Sequence, residues 1–320
     1  MLPTLQQPLR FEPFLRPMVW GGRRIARFLG KNVPPGTRCG ESWEVSDHPL
    51  HASSLATATG YGITLHQLME HHRAELFGPA AERHSVFPWL IKLLDADDWL
   101  SVQVHPDDVA VLSLCPSERA KTEAWYILDA EPTARIYAGL NPGIGPTELR
   151  EALNAGKVDA CLHAFTPKVG DCVYLPAGTV HAVGGGVLMA EIQQTSDATF
   201  RLFDWNRVDA QGKPRALHLD QGFASIHWNQ GPIAPVASDH SDQQPLVRCP
   251  YFEIERVRWN ATPSVGGANR LQALIVTDGY GRFANGEFVM PGDAWILPAA
   301  LPPTPLALDT PLTGLLCTLP

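Results

Sequence analysis

Apolar and polar residues alternate with a period of two over many short stretches of this chain and follow a helical period over only a few. The pattern predicts a mainly β, turn-rich protein. The clearest stretch is Leu-Ser-Val-Gln-Val-His at 100–105. Leu100, Val102 and Val104 share one face and Ser101, Gln103 and His105 the other, as in a strand that presents its polar groups as a set. Pro106 has no N–H to give to a ladder, so the strand stops and His105 stands at its tip. A second polar strand opening follows at Lys-Thr-Glu-Ala-Trp (121–125), with Lys121 and Glu123 on one face. Further strands are predicted over 41–46, 53–58, 88–94, 124–128, 134–138, 161–165, 171–175, 187–193 and 199–205.

Helical spacing is rarer. Apolar residues at 65, 68, 69 and 76 behind Thr64 predict an amphipathic helix capped by that threonine. Asp107 and Asp108 open a short helix expected to end near Ala120, since acids suit a helix N-terminus. A helix over 147–155 closes on Gly156, and 217–227 has helical character. Gly21-Gly22 reads as a turn before a short helical piece over 19–30. His66, His71 and His72 on the helix after Thr64 are expected to be solvated surface residues, having no matching acid or cleft in the pattern.

Residues 231–245 hold three prolines among small and polar residues and read as a linker. It divides a region 1–230 from a smaller strand-rich region 246–320. The second region contains an echo of the first: Gly-Asp-Ala-Trp-Ile-Leu-Pro-Ala-Ala (292–300) repeats Gly-Asp-Cys-Val-Tyr-Leu-Pro-Ala-Gly (170–178), but Pro303 stands where the first copy has His181.

At 320 residues and 45% apolar content the chain can bury a sizeable core. A formal charge of −8 disfavours nucleic acid or an anionic membrane as partner. There is no apolar run of membrane-spanning length and no signal-peptide core at the N-terminus, so a cytoplasmic location is expected. Six cysteines at irregular spacing, none in a CxxC pair, argue for reduced thiols and against a disulfide framework. Only six lysines occur, and two of them, Lys92 and Lys121, flank the 100–105 stretch.

The 170–181 segment, a Gly-Asp turn, an apolar strand, a Pro-x-Gly turn and then His181, is similar to the second motif of cupin barrels, whose histidine is a metal ligand. With it, Gln103, His105, Glu123 and His181 become four potential ligands on strand edges. Residues 88–126 and 166–207 together closely resemble the type I mannose-6-phosphate isomerases in their short bacterial form. The likeness rests on Leu-Ser-Val-Gln-Val-His-Pro-Asp (100–107), Lys-Thr-Glu-Ala-Trp-Tyr (121–126), the 170–181 run and Glu-Ile-Gln-Gln-Thr-Ser-Asp-Ala-Thr-Phe-Arg (191–201). It is weaker over Val-Trp-Gly-Gly (19–22) and Gly-Glu-Ser-Trp-Glu (40–44). His105 and Glu123 lie 18 positions apart (123 − 105), where simple cupins place them within a few residues, and this insertion also fits the isomerases.

The resemblance implies a cupin-type, jelly-roll β-barrel catalytic domain with inserted helices, plus a second, smaller cupin-like barrel without metal ligands that lids or braces the first. It implies one zinc ion per chain on Gln103, His105, Glu123 and His181, and a sugar phosphate as substrate. Phosphate contacts fall on Lys92, Ser101, Lys121 and Arg207, which stands where other members carry lysine, and the catalytic arginine is Arg201. Glu191, ten residues before it, matches an active-site acid and is either the proton carrier or a buried partner of Arg201. Two histidines and a carboxylate also suit ferrous iron, as in cupin oxygenases. A sugar-phosphate binding protein that kept the barrel is a further alternative, and the choice of monomer or homodimer stays open.

Overall fold

A computed structural model describes residues 5–56, 62–208 and 211–320. Two antiparallel sheets carry the first part of the chain. In one, Cys172–Leu175, Glu123–Ala130, Val187–Gln194, Trp89–Ala96, Cys39–Val45 and Phe14–Gly22 pair in succession. The other runs in the order Leu162–Phe165, Ile136–Leu140, His181–Val183, Val102–Val104, Phe200–Phe203. The architecture is mainly β and cupin-type, as expected from the alternation.

The period of two explains how the first sheet serves two cores. Ile91, Leu93, Ala124, Tyr126, Ala190 and Ile192 point one way and pack with Ile254, Ala273, Ile275 and Ile296 of the C-terminal region. Their alternates, Leu94, Trp125, Ile127 and Met189, point the other way into a separate cluster with Val173 and Leu175. Lys92, Glu123 and Glu191 belong to this second set and so face the space between the two sheets. Three buried charges of the site therefore come from the same side of one sheet, and Lys121 joins them from the segment just before the strand Glu123–Ala130.

The C-terminal region repeats the plan with a six-stranded and a four-stranded sheet. The Gly-Asp echo is structural: Gly170 and Gly292 both take positive φ (91° and 88°), and Asp171 and Asp293 each accept the backbone N–H three residues upstream. The strands Cys172–Leu175 and Ala294–Leu297 follow at matching positions. The strand Leu9–Arg10, placed by the sequence with the first region, pairs with Ala294–Leu297 and so joins the C-terminal sheet. Gln243–Arg248 is a strand, so the last three residues of the stretch expected to be a linker, 243–245, belong to a sheet.

Most predicted elements are present with shifted ends. Thr64 caps Leu65–His71 in a full capping box with Gln67. The helix after Asp107 is shorter than expected, covering Ala110–Leu114, because Pro116 follows closely and disfavours helical backbone before it. Asp107 Oδ1 caps it through the N–H groups of Val109 and Ala110. The strand expected over 53–58 is reduced to isolated bridges at Ser54 and Leu55, and residues 57 and 58 lie outside the described residues. His66 and His71 are exposed as expected, although His66 does have acids beside it, Asp47 and Glu70. His72 is half-buried and pairs with Glu75. All six cysteines are free. Among the described residues no helix is long and apolar enough to cross a membrane.

Candidate active site

Sheet register builds the site as two facing rows. On the smaller sheet His181, Gln103 and Arg201 are direct cross-strand partners, with Gln103 in the middle. On the larger sheet Lys92, Glu191 and Trp125 are partners, and Glu123 lies two residues from Trp125 on the same face. Between the rows is a cavity of about 250 Å³, lined among others by Lys92, Ser101, Gln103, Lys121, Glu191 and Arg201.

Behind Gln103 and Lys121, which line the cavity and touch His181 and Glu123, the buried side chains of His105, Glu123 and His181 offer ligand atoms within 4.8 Å of one another. His105 Nδ1 lies 2.7 Å from the Ala198 carbonyl and His181 Nδ1 2.9 Å from the Thr179 carbonyl. Each Nδ1 therefore carries the ring proton, and each Nε2 presents a lone pair. Those lone pairs face the carboxylate of Glu123 at 3.4 and 3.3 Å. His105 Nε2 and both Glu123 oxygens are buried without a well-directed hydrogen bond. Three acceptors turned toward one another, the two rings oriented from behind, repel unless a cation lies between them. The donor set fits a divalent metal ion.

Protonation states agree with this. Burial, then the charge of Lys121, pushes His105 down to about 3, and burial lowers His181 as well, so both rings are neutral at physiological pH. Burial alone would raise Glu123, but Lys121 and then His105 hold it well below the usual carboxylate range. Lys121 Nζ stands 2.9 Å from Glu123 Oε2. Burial works against its charge, but Glu123 and then Glu191 raise its pKa.

Gln103 is placed differently from the other three. Its Nε2 is 3.2 Å from His181 Nε2, and its Oε1 accepts from the Ser101 hydroxyl at 3.2 Å. Coordination through the amide oxygen needs only a flip of the amide, after which the nitrogen would donate to Ser101.

Glu191 accepts from Trp125 Nε1 at 2.9 Å and pairs with Lys92 Nζ at 3.2 Å. Burial and then Glu123 raise its pKa, opposed by Lys92. Its partners are therefore Lys92 and Trp125, and among the described residues no ion pair joins it to Arg201. Arg201 donates through Nη1 to the Ala216 carbonyl, while its buried Nε has no hydrogen-bond partner.

The sequence-predicted residues Lys92, Ser101, Gln103, Lys121, Glu191 and Arg201 all line the cavity, and Arg207 does not. Arg207 donates to the Trp99 carbonyl and to Asp204, whose other guanidinium partner is Arg215. It is Arg215 that reaches the cavity. Sequence reasoning also missed Arg16, which pairs with Glu41 at 3.0 Å and Asp197 at 3.5 Å and lies over the Trp43 ring. Its signal would have been a lone cation in the alternating stretch that became Phe14–Gly22.

The sequence model of the type I phosphomannose isomerase catalytic domain matches residues 9–133. The mannose-6-phosphate isomerase ManA of Bacillus subtilis is 38% identical over 307 residues, covering 92% of this chain and 94% of its own. That of Streptococcus mutans is 36% identical over 302 residues, with 92% and 93% covered. The crystal structure of a Bacillus subtilis mannose 6-phosphate isomerase superposes with a TM-score of 0.87 at 30% identity, covering 98% of this chain and all of that one. A mannosephosphate isomerase structure from Archaeoglobus fulgidus, described as putative, shares the fold with a TM-score of 0.80 at 23% identity. With relatives this similar over nearly their whole length, the chain belongs to the type I phosphomannose isomerases.

Proposed function

We propose that the chain interconverts mannose 6-phosphate and fructose 6-phosphate through a cis-enediol, with one zinc ion held by His105, Glu123, His181 and, after the amide flip, Gln103. The observation that carries this reading is the cluster of three acceptors facing one another directly behind Gln103 and Lys121, in the wall of a cavity that also carries Lys92, Arg201 and Arg215. When bound, the metal supplies a Lewis acid for the substrate oxygens next to the reacting carbons. With Glu123 as the one anionic ligand, a dication keeps a net positive charge there.

The chain's own groups do the rest. Glu191, buried and with a raised pKa, takes the proton from C2 and returns one at C1, and Trp125 fixes the orientation of its carboxylate. Arg201, with a buried and unpaired Nε, donates to the oxygen on which charge develops in the enediol-like transition state. Lys92 and Lys121 already carry carboxylate partners, so a phosphate reaching them shares their charge with Glu191 and Glu123. Arg215 joins Lys92, Ser101 and Lys121 as a phosphate donor, and Arg207 supports it from behind through Asp204. Free, reduced cysteines suit a cytoplasmic enzyme of sugar phosphate metabolism.

The test is a coupled assay on purified protein with mannose 6-phosphate, before and after chelation and with zinc restored. Turnover that disappears with chelator and returns with zinc is expected. A fully metal-loaded protein that leaves mannose 6-phosphate unchanged would overturn the reading.

A further inference from the structure

We propose that Glu118 is a positioning residue for the metal site, acting through the backbone segment 195–198 rather than by touching the ion or the substrate. The inference rests on the metal reading above.

Glu118 lies in the stretch between the helix Ala110–Leu114 and the strand Glu123–Ala130. Its Oε2 accepts the backbone N–H of Asp197 at 3.0 Å and stands 3.2 Å from the Ser196 hydroxyl, which donates to the nearer Arg119 carbonyl at 2.7 Å. The carboxylate is itself held by His48. The Leu50 N–H donates to His48 Nδ1 at 3.1 Å, so the ring proton is on Nε2, which points at Oε2 from 3.2 Å. His48 is almost wholly buried and lines no part of the catalytic cavity.

Each contact leads toward the site. The Ser196 hydroxyl accepts the N–H of Ala198 at 3.1 Å, and the Ala198 carbonyl accepts the proton of His105 Nδ1 at 2.7 Å. That last bond fixes both the tautomer and the plane of His105, and so decides where its Nε2 lone pair points. The neighbouring Asp197 faces the cavity and pairs with Arg16. From the inner side, Gln193 Nε2 donates to the Ser196 carbonyl at 2.6 Å and the Gln194 carbonyl at 2.8 Å. Gln193 thus sets the height of the segment, while Glu118 and His48 set its tilt. Removing Glu118 leaves the Asp197 N–H and the His48 Nε2–H without their acceptor and frees the segment to rotate about the Gln193 anchor.

The experiment measures zinc affinity directly, by competition with a chromophoric chelator, on wild-type protein and the Glu118→Ala, Glu118→Gln and Ser196→Ala variants. Thermal midpoints of the metal-free forms are recorded in parallel. Partners that orient metal ligands are worth about 10–100-fold in metal affinity, and one acting at a further remove belongs at the low end. Glu118→Ala should bind zinc about tenfold more weakly. Glu118→Gln keeps an oxygen at the Oε2 position for Asp197, Ser196 and His48 and should restore most of the affinity. Ser196→Ala, a small change that the fold tolerates even if Glu118→Ala does not, removes the acceptor for Ala198 and should also weaken binding. A merely structural Glu118 would lower the thermal midpoint and leave zinc affinity at the wild-type value, and that result overturns the proposal. So does a Glu118→Gln variant that loses as much affinity as Glu118→Ala. Wild-type protein that binds no zinc overturns the metal reading itself.

Discussion

Replacing Lys121 by methionine separates the two cations that compete for Glu123. The Lys121 and Glu123 side chains are 5% and 1% exposed, and their charged atoms are 2.9 Å apart. Methionine keeps an unbranched chain of similar bulk, so packing changes little while the charge is lost. Breaking a buried pair from one side leaves the other charge uncompensated and costs about 3–5 kcal/mol. That cost falls on the metal-free protein, where nothing else balances Glu123, and lowers its thermal midpoint by ~6–10 °C at about 2 °C per kcal/mol. In the loaded protein a dication beside Glu123 takes over the balancing role, and the penalty shrinks. By linkage the variant binds metal more tightly, at least tenfold if ~1.4 kcal/mol of the loss is recovered. Thermal unfolding of wild-type and Lys121→Met protein, each chelated and zinc-loaded, gives the four midpoints required. An equal drop in both forms would refute the reasoning, because Glu123 would then not be shared between lysine and metal.

The two arginines on Asp204 separate by position. Arg215→Ala should raise KM for mannose 6-phosphate at least tenfold, as expected for losing a charge-assisted hydrogen bond of about 1.5–3 kcal/mol, while Arg207→Ala should change it much less. Equal effects in steady-state kinetics would contradict the assignment. Glu191→Gln should abolish exchange of the C2 proton of mannose 6-phosphate with tritiated solvent, and exchange near the wild-type rate would exclude Glu191 as the base. In the chelated protein, His105 is held down at about 3 while the same ring in the unfolded chain titrates near its ordinary 6.5. The unfolded state therefore binds more protons between those values, so stability rises with pH and is lost as pH falls below 6.5. From pH 7 to pH 5 this ring alone removes about 2 kcal/mol, and His181, also lowered, acts in the same direction. Urea midpoints unchanged between those pH values would contradict the buried, neutral assignment.

What could be read from the sequence followed local periodicity. Alternation placed Ser101, Gln103 and His105 on one face and Lys121 with Glu123 on another, and both groupings recur in the contacts of Gln103 and in the Lys121–Glu123 pair. The Gly-Asp turn was equally legible, since an aspartate that caps its own turn and a glycine at positive φ leave a fixed signature. Cross-strand register was not legible. Nothing in residues 14–22 says that Arg16 will meet Glu41 and Asp197, because both meetings depend on pairings 25 and 181 positions away (41 − 16 and 197 − 16). Arg207 lies off the cavity wall for a local reason. Trp205 and Asn206 both take left-handed backbone, φ 55°, and turn the chain so that Arg207 meets Asp204 and Trp99 from behind. The strand Leu9–Arg10 joined the distant C-terminal sheet because its edge partner lies nearly 300 residues on, beyond the reach of any local pattern.

Zinc titration of chelated protein, followed by isomerase activity on mannose 6-phosphate in the same sample, tests the central claim most directly. A metal-dependent isomerase gains activity in proportion to bound zinc and reaches its maximum at one ion per chain, and His105→Ala and His181→Ala variants neither bind nor turn over. Full activity in thoroughly chelated protein, or zinc binding with no turnover of mannose 6-phosphate, would contradict it.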